Sequence, residues 1–337
     1  KWIGPLDDYP IHQDAKPLRQ AAHPHRDFDD ATYFFVTDKK GELSIFATLE
    51  VFPHRNLLRS AVFARIGTRH VRRIWFEKLE ASTGSVIAVG ENRFEIVRPQ
   101  EEWRLHFEDE NVGLLADLVW RPRCPSYRFK HVFLPGEPDP IIDMEHYTTS
   151  SVFEGSVRIG DAVFTDLVGH KNRSWGVRRW TALPFYTWLN AQFDDACVNL
   201  WLQEDQDGKP LYVDGAITTP AGQVTPIRSF EHDILELHEP HKKRAKRRRL
   251  RFETVDGAKH VIDVEEIGST ILAPLPDDWD ETDEETMSAA QEIAMWYEQH
   301  SRFRWGDRVG IGFVENLVAP GSRFRGIPPT EMADVDP

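Results

Sequence analysis

The stretch ATYFFVTDKKGELSIFATLEVF, Ala31 to Phe52, decides the fold class. Apolar and polar residues alternate at period two through Ala31–Thr37 and again through Glu42–Phe52. β-Branched and aromatic side chains, which suit a pleated and half-buried surface, dominate both runs. Asp38-Lys-Lys-Gly41 between them carries the glycine that a tight turn needs, so the whole stretch reads as a β-hairpin.

Outward from this hairpin the same period continues. Leu58–Ile66 and Val71–Phe76 extend it across Gly67, and Arg93–Val97, Trp103–Phe107 and Val112–Trp120 have strand length and strand composition. Short connections between them favour an antiparallel meander. Pro122, Pro125, Pro135, Pro138 and Pro140 then cluster around Gly136, a composition that excludes a central strand, and a domain boundary is placed near Pro140. Strands resume at Ser151–Ile159, Ala162–Val168, Tyr186–Phe193, Cys197–Gln203 and Leu211–Thr218, with Asp205-Gln-Asp-Gly208 as a hairpin turn. Asp280–Gln299 is the best helix candidate because its start is acidic, yet strand is preferred after about Met295, where Trp296–Trp305 and Val309–Glu315 read as a closing hairpin. The expected architecture is therefore all-β and mostly antiparallel with little helix, in two barrel-like or sandwich-like domains, residues 1–140 and 141–337.

Composition narrows the function. A chain of 337 residues exceeds the size at which single cores stop growing, in keeping with two domains. With 41 basic and 55 acidic residues the net charge is −14, which argues against a general nucleic-acid binder. Cys124 and Cys197 stand alone, so neither a disulfide framework nor a structural zinc site is expected. No run of eighteen apolar residues occurs and Lys1-Trp-Ile-Gly-Pro5 lacks the apolar core of a signal peptide, so the expectation is a soluble cytoplasmic protein without stable membrane insertion. A monomer and a homo-oligomer both fit the sequence.

Motifs for nucleotide or serine-hydrolase chemistry are missing, and Gly310-Ile-Gly312 falls short of a dinucleotide fingerprint. The fourteen histidines are scattered; His23 and His25 have the spacing of one strand face but no third ligand, so no metal and no other cofactor is expected. The basic run His241–Arg251 reads as a charged loop or hairpin entering the strand Leu250–Val255, neutralised by the acidic segment Asp277–Glu285, in preference to an anionic-partner site.

One segment departs from this pattern. GHKNRSWGVRRW, Gly169 to Trp180, concentrates two tryptophans, three arginines, a histidine and an asparagine between strand-like runs. Buried in an apolar core, each polar group would need its own partner, so a cavity wall suits them better. There Trp175 and Trp180 supply flat apolar area, and His170, Asn172, Arg173 and Arg178 supply donors. The competing reading is a tryptophan-anchored turn whose arginines pair with surface carboxylates.

The order Glu145-His-Tyr147, a strand holding Gly155, the turn at Gly160, Gly169-x-x-Asn-Arg-Ser-Trp-Gly-Val-Arg178 and the terminal Gly310-Ile-Gly-Phe-Val-Glu315 resembles the carotenoid 1,2-hydratase (hydroxyneurosporene synthase) and AttH-like superfamily, which includes kievitone hydratase and fungal Diels-Alderases. The resemblance is clearest from Glu145 to Trp180. It implies two tandem lipocalin-like domains, an apolar ligand cavity near their junction, and action on large lipophilic molecules by water addition, water removal or cyclisation without metal or nucleotide. Many relatives carry Asp-His where this chain has Asn172-Arg173. Alkene hydration needs a proton delivered to carbon, and neither asparagine nor a permanently protonated arginine delivers one.

Other groups must then act. Glu145 and Glu315 are candidate acids, because a carboxyl group in an apolar cavity can hold its proton near neutral pH, although either can equally be an ordinary ion-pair partner of Arg173, Arg178 or Arg304. His170 is the third catalytic candidate and His146 and Tyr147 are candidate ligand contacts. Trp175, Trp180 and Trp188 would line the cavity and stabilise a ligand cation through their ring faces. Two functional readings follow: a cofactor-independent lyase or isomerase acting on a terpenoid, steroid, polyketide or aromatic substrate, and a non-catalytic carrier of such a small molecule.

Overall fold

The computed structural model describes residues 3–9, 25–79, 85–179, 182–238, 245–271, 278–280 and 296–318. Strands fill most of this length, and helix is limited to short 3-10 turns such as Pro5–Asp8. The Ala31–Phe52 hairpin forms as expected, from Phe28–Asp38 and Leu43–Phe52, with Phe35 opposite Phe46. The Asp38 carboxylate accepts the backbone N–H groups of Lys40 and Leu43 and so fixes the turn.

The chain divides into two compact units, residues 1–66 with 71–178, and residues 67–70 with 179–337. In the first unit an antiparallel, barrel-like sheet runs through strands Arg69–Lys78, Leu57–Ile66, Leu43–Phe52, Phe28–Asp38, Leu167–Arg178, Ile142–Ile159, Leu114–Pro122, Glu102–Asp109, Asn92–Arg98 and Val86–Val89. Its inner face carries a continuous apolar cluster that includes Phe34, Val36, Leu105, Phe107, Trp103 and Trp120. In the second unit Phe185–Gln192, Cys197–Glu204, Pro210–Thr218, Val224–Leu237, Ala245–Thr254, Lys259–Ile271, Trp296–Trp305 and Arg308–Val318 close into an eight-stranded antiparallel barrel. Leu189, Leu200, Leu250, Phe252 and Val314 fill its interior.

The fold corrects the boundary drawn near Pro140. The proline-rich stretch is indeed a connection with only the short strands Tyr127–Arg128 and Val132–Leu134. Beyond it, however, Ile142–Ile159 returns to pair with Leu114–Pro122 and with Leu167–Arg178 in the same sheet. Hydrogen bonding, not proline content, sets the division, which falls after Arg178.

The conspicuous segment also proves to be something else. Residues 169–178 are neither a turn nor part of the second unit. They form the spine of the first sheet, bonded to Phe28–Asp38 on one side and Ile142–Ile159 on the other. The closing hairpin Trp296–Trp305/Arg308–Val318 is present as read, whereas the helix candidate falls largely on residues outside those described.

The basic run is a barrel strand from Ala245 onward. Arg249 pairs with Asp263, Arg251 with Asp233 and Lys246 with Glu236, all on neighbouring strands. These partners neutralise it among the described residues, and the segment Asp277–Glu285 lies largely outside them. Both cysteines are buried and neither is in a disulfide.

Candidate functional site

Side chains of the 167–178 strand alternate between two faces, and the register tells which neighbours each face collects. Lys171 and Arg173 turn inward with Tyr147, Thr149, Phe34 and Thr32. His170, Asn172 and Ser174 share the reverse face with His146, Thr148 and Tyr33.

The inner face is a fully buried charge cluster. Lys171 is 0% exposed and pairs with Asp8, whose carboxylate comes from the 3-10 turn Pro5–Asp8. The same carboxylate accepts from the Tyr147 hydroxyl at 2.5 Å, Trp103 Nε1 at 2.9 Å and the backbone N–H of Gln100. Gln100 adopts a left-handed φ of 65°, a conformation that costs a non-glycine residue and here aims its N–H at Asp8. Burial raises the Asp8 pKa, but Lys171 and these bonds outweigh it and hold the group below its ordinary value. The Lys171 amine is pulled down to about 8 by burial, against the attraction of Asp8, and it rests 4.1 Å from the Trp120 ring centre and 4.9 Å from that of Trp103.

Arg173 is matched in the same way. It pairs with Asp30 at 2.6 Å and donates to Thr32 Oγ1 and to the carbonyls of Ala31, Asp7 and Tyr9. Its guanidinium therefore clamps the turn that carries Asp8. Tyr147 is pushed well above the usual phenol value by burial and by Asp8, so it stays protonated. The expectation that so many polar groups could not lie in a core fails because each cation has a dedicated carboxylate.

On the reverse face both imidazoles are neutral at ordinary pH. His170 is driven down to about 3 by burial alone, with Thr148 Oγ1 3.2 Å from Nδ1 and Tyr33 edge-on at 5.9 Å. His146 falls well below its ordinary value through burial, then through the nearby charges of His170 and Arg178, and it stacks on Phe129 at 4.4 Å. Asn172 lies between them in the strand pair, opposite Thr148. Arg178 donates to Asp29 and to Ser174 Oγ. The Asp29 carboxyl is raised to about 6 by burial in spite of Arg178, which places a proton-exchanging group near neutrality that the sequence reading missed.

Glu145 sits at the edge of this unit, held by Arg128 at 3.0 Å and His131 at 3.3 Å, with Trp175 beside Arg128 at 5.8 Å. Trp180 lies outside the described residues.

The second unit gathers the remaining candidates on the outer face of its barrel. Register aligns Asp214, Trp201, Trp188, Glu315 and Glu298 in one row across five adjacent strands. All five are buried. Facing residues in such rows stand roughly 5 Å apart at Cβ, so the two tryptophans are cross-strand neighbours with carboxylates at both ends of the row. The Tyr186 hydroxyl donates to Glu315, Phe313 meets Trp188 edge-on at 4.9 Å, and Tyr212 meets Trp201 at 5.3 Å. Trp188 and Glu315 were legible as candidates; Trp201, Tyr186, Glu298 and Asp214 were not, although strand alternation from Trp188 points to the same face. Among the described residues no group of three histidine, cysteine, aspartate or glutamate side chains is placed to hold a metal.

Two antiparallel barrel-like sheets in tandem give this chain a fold shared with several solved structures. The structure is similar to a protein assigned as AttH from Nitrosomonas europaea, with a TM-score of 0.62 and 12% identity over 92% of this chain and 98% of that one. It is similar to CghA, with a TM-score of 0.55 and 12% identity over 93% and 97% of the two chains. It also matches kievitone hydratase from Nectria haematococca, with a TM-score of 0.53 and 10% identity over 93% and 98%. By sequence, the chain belongs to a family of unknown function, DUF8625, whose model matches residues 3–267. Comparison with curated proteins gives no match.

Proposed function

We propose that the protein is a cofactor-independent lyase or isomerase of the hydratase or dehydratase kind, acting on a lipophilic terpenoid, steroid, polyketide or aromatic substrate. The observation that carries this reading is the Glu315 carboxyl, hydrogen-bonded by Tyr186 and set in register beside Trp188 and Trp201. A reaction that protonates an alkene needs three things: an acid, a surface that tolerates a carbocation, and a base for the incoming water.

In the hydration direction a proton passes from the Glu315 carboxyl to one alkene carbon, and the π bond supplies the electrons of the new C–H bond. The cation left on the other carbon lies against the indole faces, each worth about 0.5–2 kcal/mol to a nearby cation. Water adds to it and its surplus proton returns to the Glu315 carboxylate, which the Tyr186 hydroxyl stabilises in the interval. Glu298, the cross-strand neighbour of Glu315, would accept a hydrogen bond from that water. Dehydration is the same sequence reversed, and an isomerase loses a proton where the hydratase gains water. The kinship of fold with kievitone hydratase supports the reading.

His170 and His146, neutral on their own face, serve as hydrogen-bonding groups and not as acids at neutral pH. Asn172, which stands where many relatives carry an acid, cannot deliver a proton, and this favours the second reading, a carrier that holds the same class of molecule unchanged.

One experiment separates them. Lipophiles extracted from the purified protein are identified by mass spectrometry and returned to it in oxygen-18 water. Gain or exchange of one labelled water, lost in Trp188→Ala, supports the enzyme; a retained ligand that never changes supports the carrier.

A further inference from the structure

The outer face of the first sheet holds a hollow that the proposed reaction does not use. Two rows of residues cross it in register: Arg93, His106, Asp117 and Ser156 form one, and Glu95, Arg104, Val119 and Glu154 form the next. The alternate residues of these strands, among them Phe94, Leu105, Leu118 and Phe153, turn inward to the core. The second row is short in its middle, because Val119 stands between the long side chains of Arg104 and Glu154. Beside it Gly155 carries no side chain. Its backbone, at φ 113°, runs so close to the Asp117 carbonyl oxygen that an added Cβ would lie 2.0 Å away. The result is a hollow of about 410 Å³ with Val119 and Gly155 in its lining. That volume falls within the roughly 300–1,000 Å³ of small-molecule sites.

The charges around this hollow do not cancel. His106 Nδ1 lies 2.7 Å from Asp117, and that bond holds the imidazole pKa above its ordinary value against the effect of burial. Glu154 is held by Arg121 at 3.2 Å. Both carboxylates therefore already have a cation. Arg93 and Arg104 are exposed, and among the described residues neither makes an ion pair or a side-chain hydrogen bond. Facing them is one further carboxylate, Glu95, which stands opposite Arg104 in the strand pairing without an ion pair to it. With the two pairs neutral, two guanidiniums share the hollow with a single unmatched acid.

Arg93 and Arg104 are diagonal neighbours on adjacent antiparallel strands, a separation of roughly 7–8 Å that long side chains span, so both forks can close on one group. A single fork already fills the two oxygens of a carboxylate, whereas a phosphate has a third oxygen for the second guanidinium. The remaining lone pairs of Glu95, Asp117 and Glu154 accept O–H groups and repel a second anion.

We propose that this hollow is a binding site for the phosphomonoester of a polyol, a sugar phosphate. Its phosphate sits on Arg93 and Arg104, its carbon skeleton on Val119, and its hydroxyls on Glu95, Asp117 and Glu154. The site shares no residue with the Trp188–Glu315 row, so the two proposals fail separately.

The test is calorimetric titration of the intact protein, at fixed ionic strength, with glucose 6-phosphate, glucose and inorganic phosphate. Glucose 6-phosphate binds, and glucose and phosphate each bind at least about tenfold more weakly because each keeps only part of the contacts. Arg104→Gln weakens glucose 6-phosphate binding by at least about tenfold, since it removes charge-assisted hydrogen bonds to the phosphate. Val119→Trp fills the floor without altering charge and abolishes binding. Arg158→Gln, which removes an exposed arginine of the strand Ile142–Ile159 outside the lining, leaves binding unchanged. All three substitutions change outward-facing side chains, so the fold is kept. No binding of glucose 6-phosphate, equally tight binding of glucose or phosphate, or full affinity in Arg104→Gln or Val119→Trp overturns the proposal. An equal loss in Arg158→Gln overturns it as well, since the attraction would then be to the charge of the sheet in general.

Discussion

Replacing Asp8 by alanine tests whether a buried ion pair, and not apolar packing alone, holds the first barrel's interior. The substitution removes a carboxylate that accepts from Lys171, Tyr147, Trp103 and the Gln100 backbone, and leaves an ammonium group at 0% exposure without a counter-charge. Breaking one side of such a pair costs about 3–5 kcal/mol, a large part of the roughly 5–15 kcal/mol that keeps a protein folded. Lys171→Met leaves a carboxylate that still has three donors, and should cost about 1–3 kcal/mol. The double variant should therefore lose less than the sum of the two, with a coupling of at least about 2 kcal/mol. The pH dependence has a definite sign. In the parent Lys171 holds its proton to about 8 when folded, against an ordinary 10.5, so between these values the unfolded chain binds more protons and stability rises with pH, by roughly 3 kcal/mol in all. Without Asp8 the amine loses the partner that raises its pKa, and the rise moves to lower pH. Hydrogen exchange of the amides in residues 167–178 reads the first unit separately from the second. A cost below about 1 kcal/mol for Asp8→Ala at neutral pH, with an additive double variant, would refute the reasoning.

Three further outcomes follow from the same geometry. His170 is neutral in the fold with a pKa near 3, so stability should fall as pH drops from 6.5 towards 3, at up to about 1.4 kcal/mol per unit, and His170→Gln should flatten that slope in acid titrations followed by circular dichroism. Asp29, raised to about 6, acts in the opposite sense because its contribution is lost as pH rises through that value, so parent and variant must be compared point by point. Gly169→Ala would place a Cβ 1.8 Å from the Phe35 carbonyl oxygen, which nothing short of strand separation relieves; a loss above about 4 kcal/mol or failure to fold is expected, measured by urea unfolding. Arg249→Gln and Arg251→Gln remove only exposed pairs with Asp263 and Asp233, and the melting profile should reflect less than about 1 kcal/mol for each.

The strand inventory was readable because period-two alternation is local: the Ala31–Phe52 hairpin and the Trp296–Val318 hairpin formed where the pattern placed them. Barrel partnership was not, since residues 167–178 join the first sheet through hydrogen bonds to the distant strand Phe28–Asp38 and residues 142–159 reach back across the proline cluster to Leu114–Pro122, and that cluster gave a stronger local signal than either pairing. The candidate site was half legible. His170, Arg173, Trp188 and Glu315 stood out by residue type, but the partners that define their chemistry are long-range: Asp8 is 163 residues from Lys171, and Tyr186 is 129 from Glu315. Lys171 itself was passed over because a lysine in a basic motif reads as solvent-facing, and only the register reveals that it turns inward with Tyr147 and Phe34.

The central claim, that Glu315 supplies the proton for chemistry on a lipophile, is tested most directly by comparing Glu315→Gln with the parent in oxygen-18 water, measuring ligand affinity and labelled product on the same samples. The account predicts affinity within about threefold of the parent and product formation reduced by at least about a hundredfold, because the amide keeps the shape and the Tyr186 hydrogen bond but cannot pass a proton. Labelled product at the parent's rate from Glu315→Gln would contradict it.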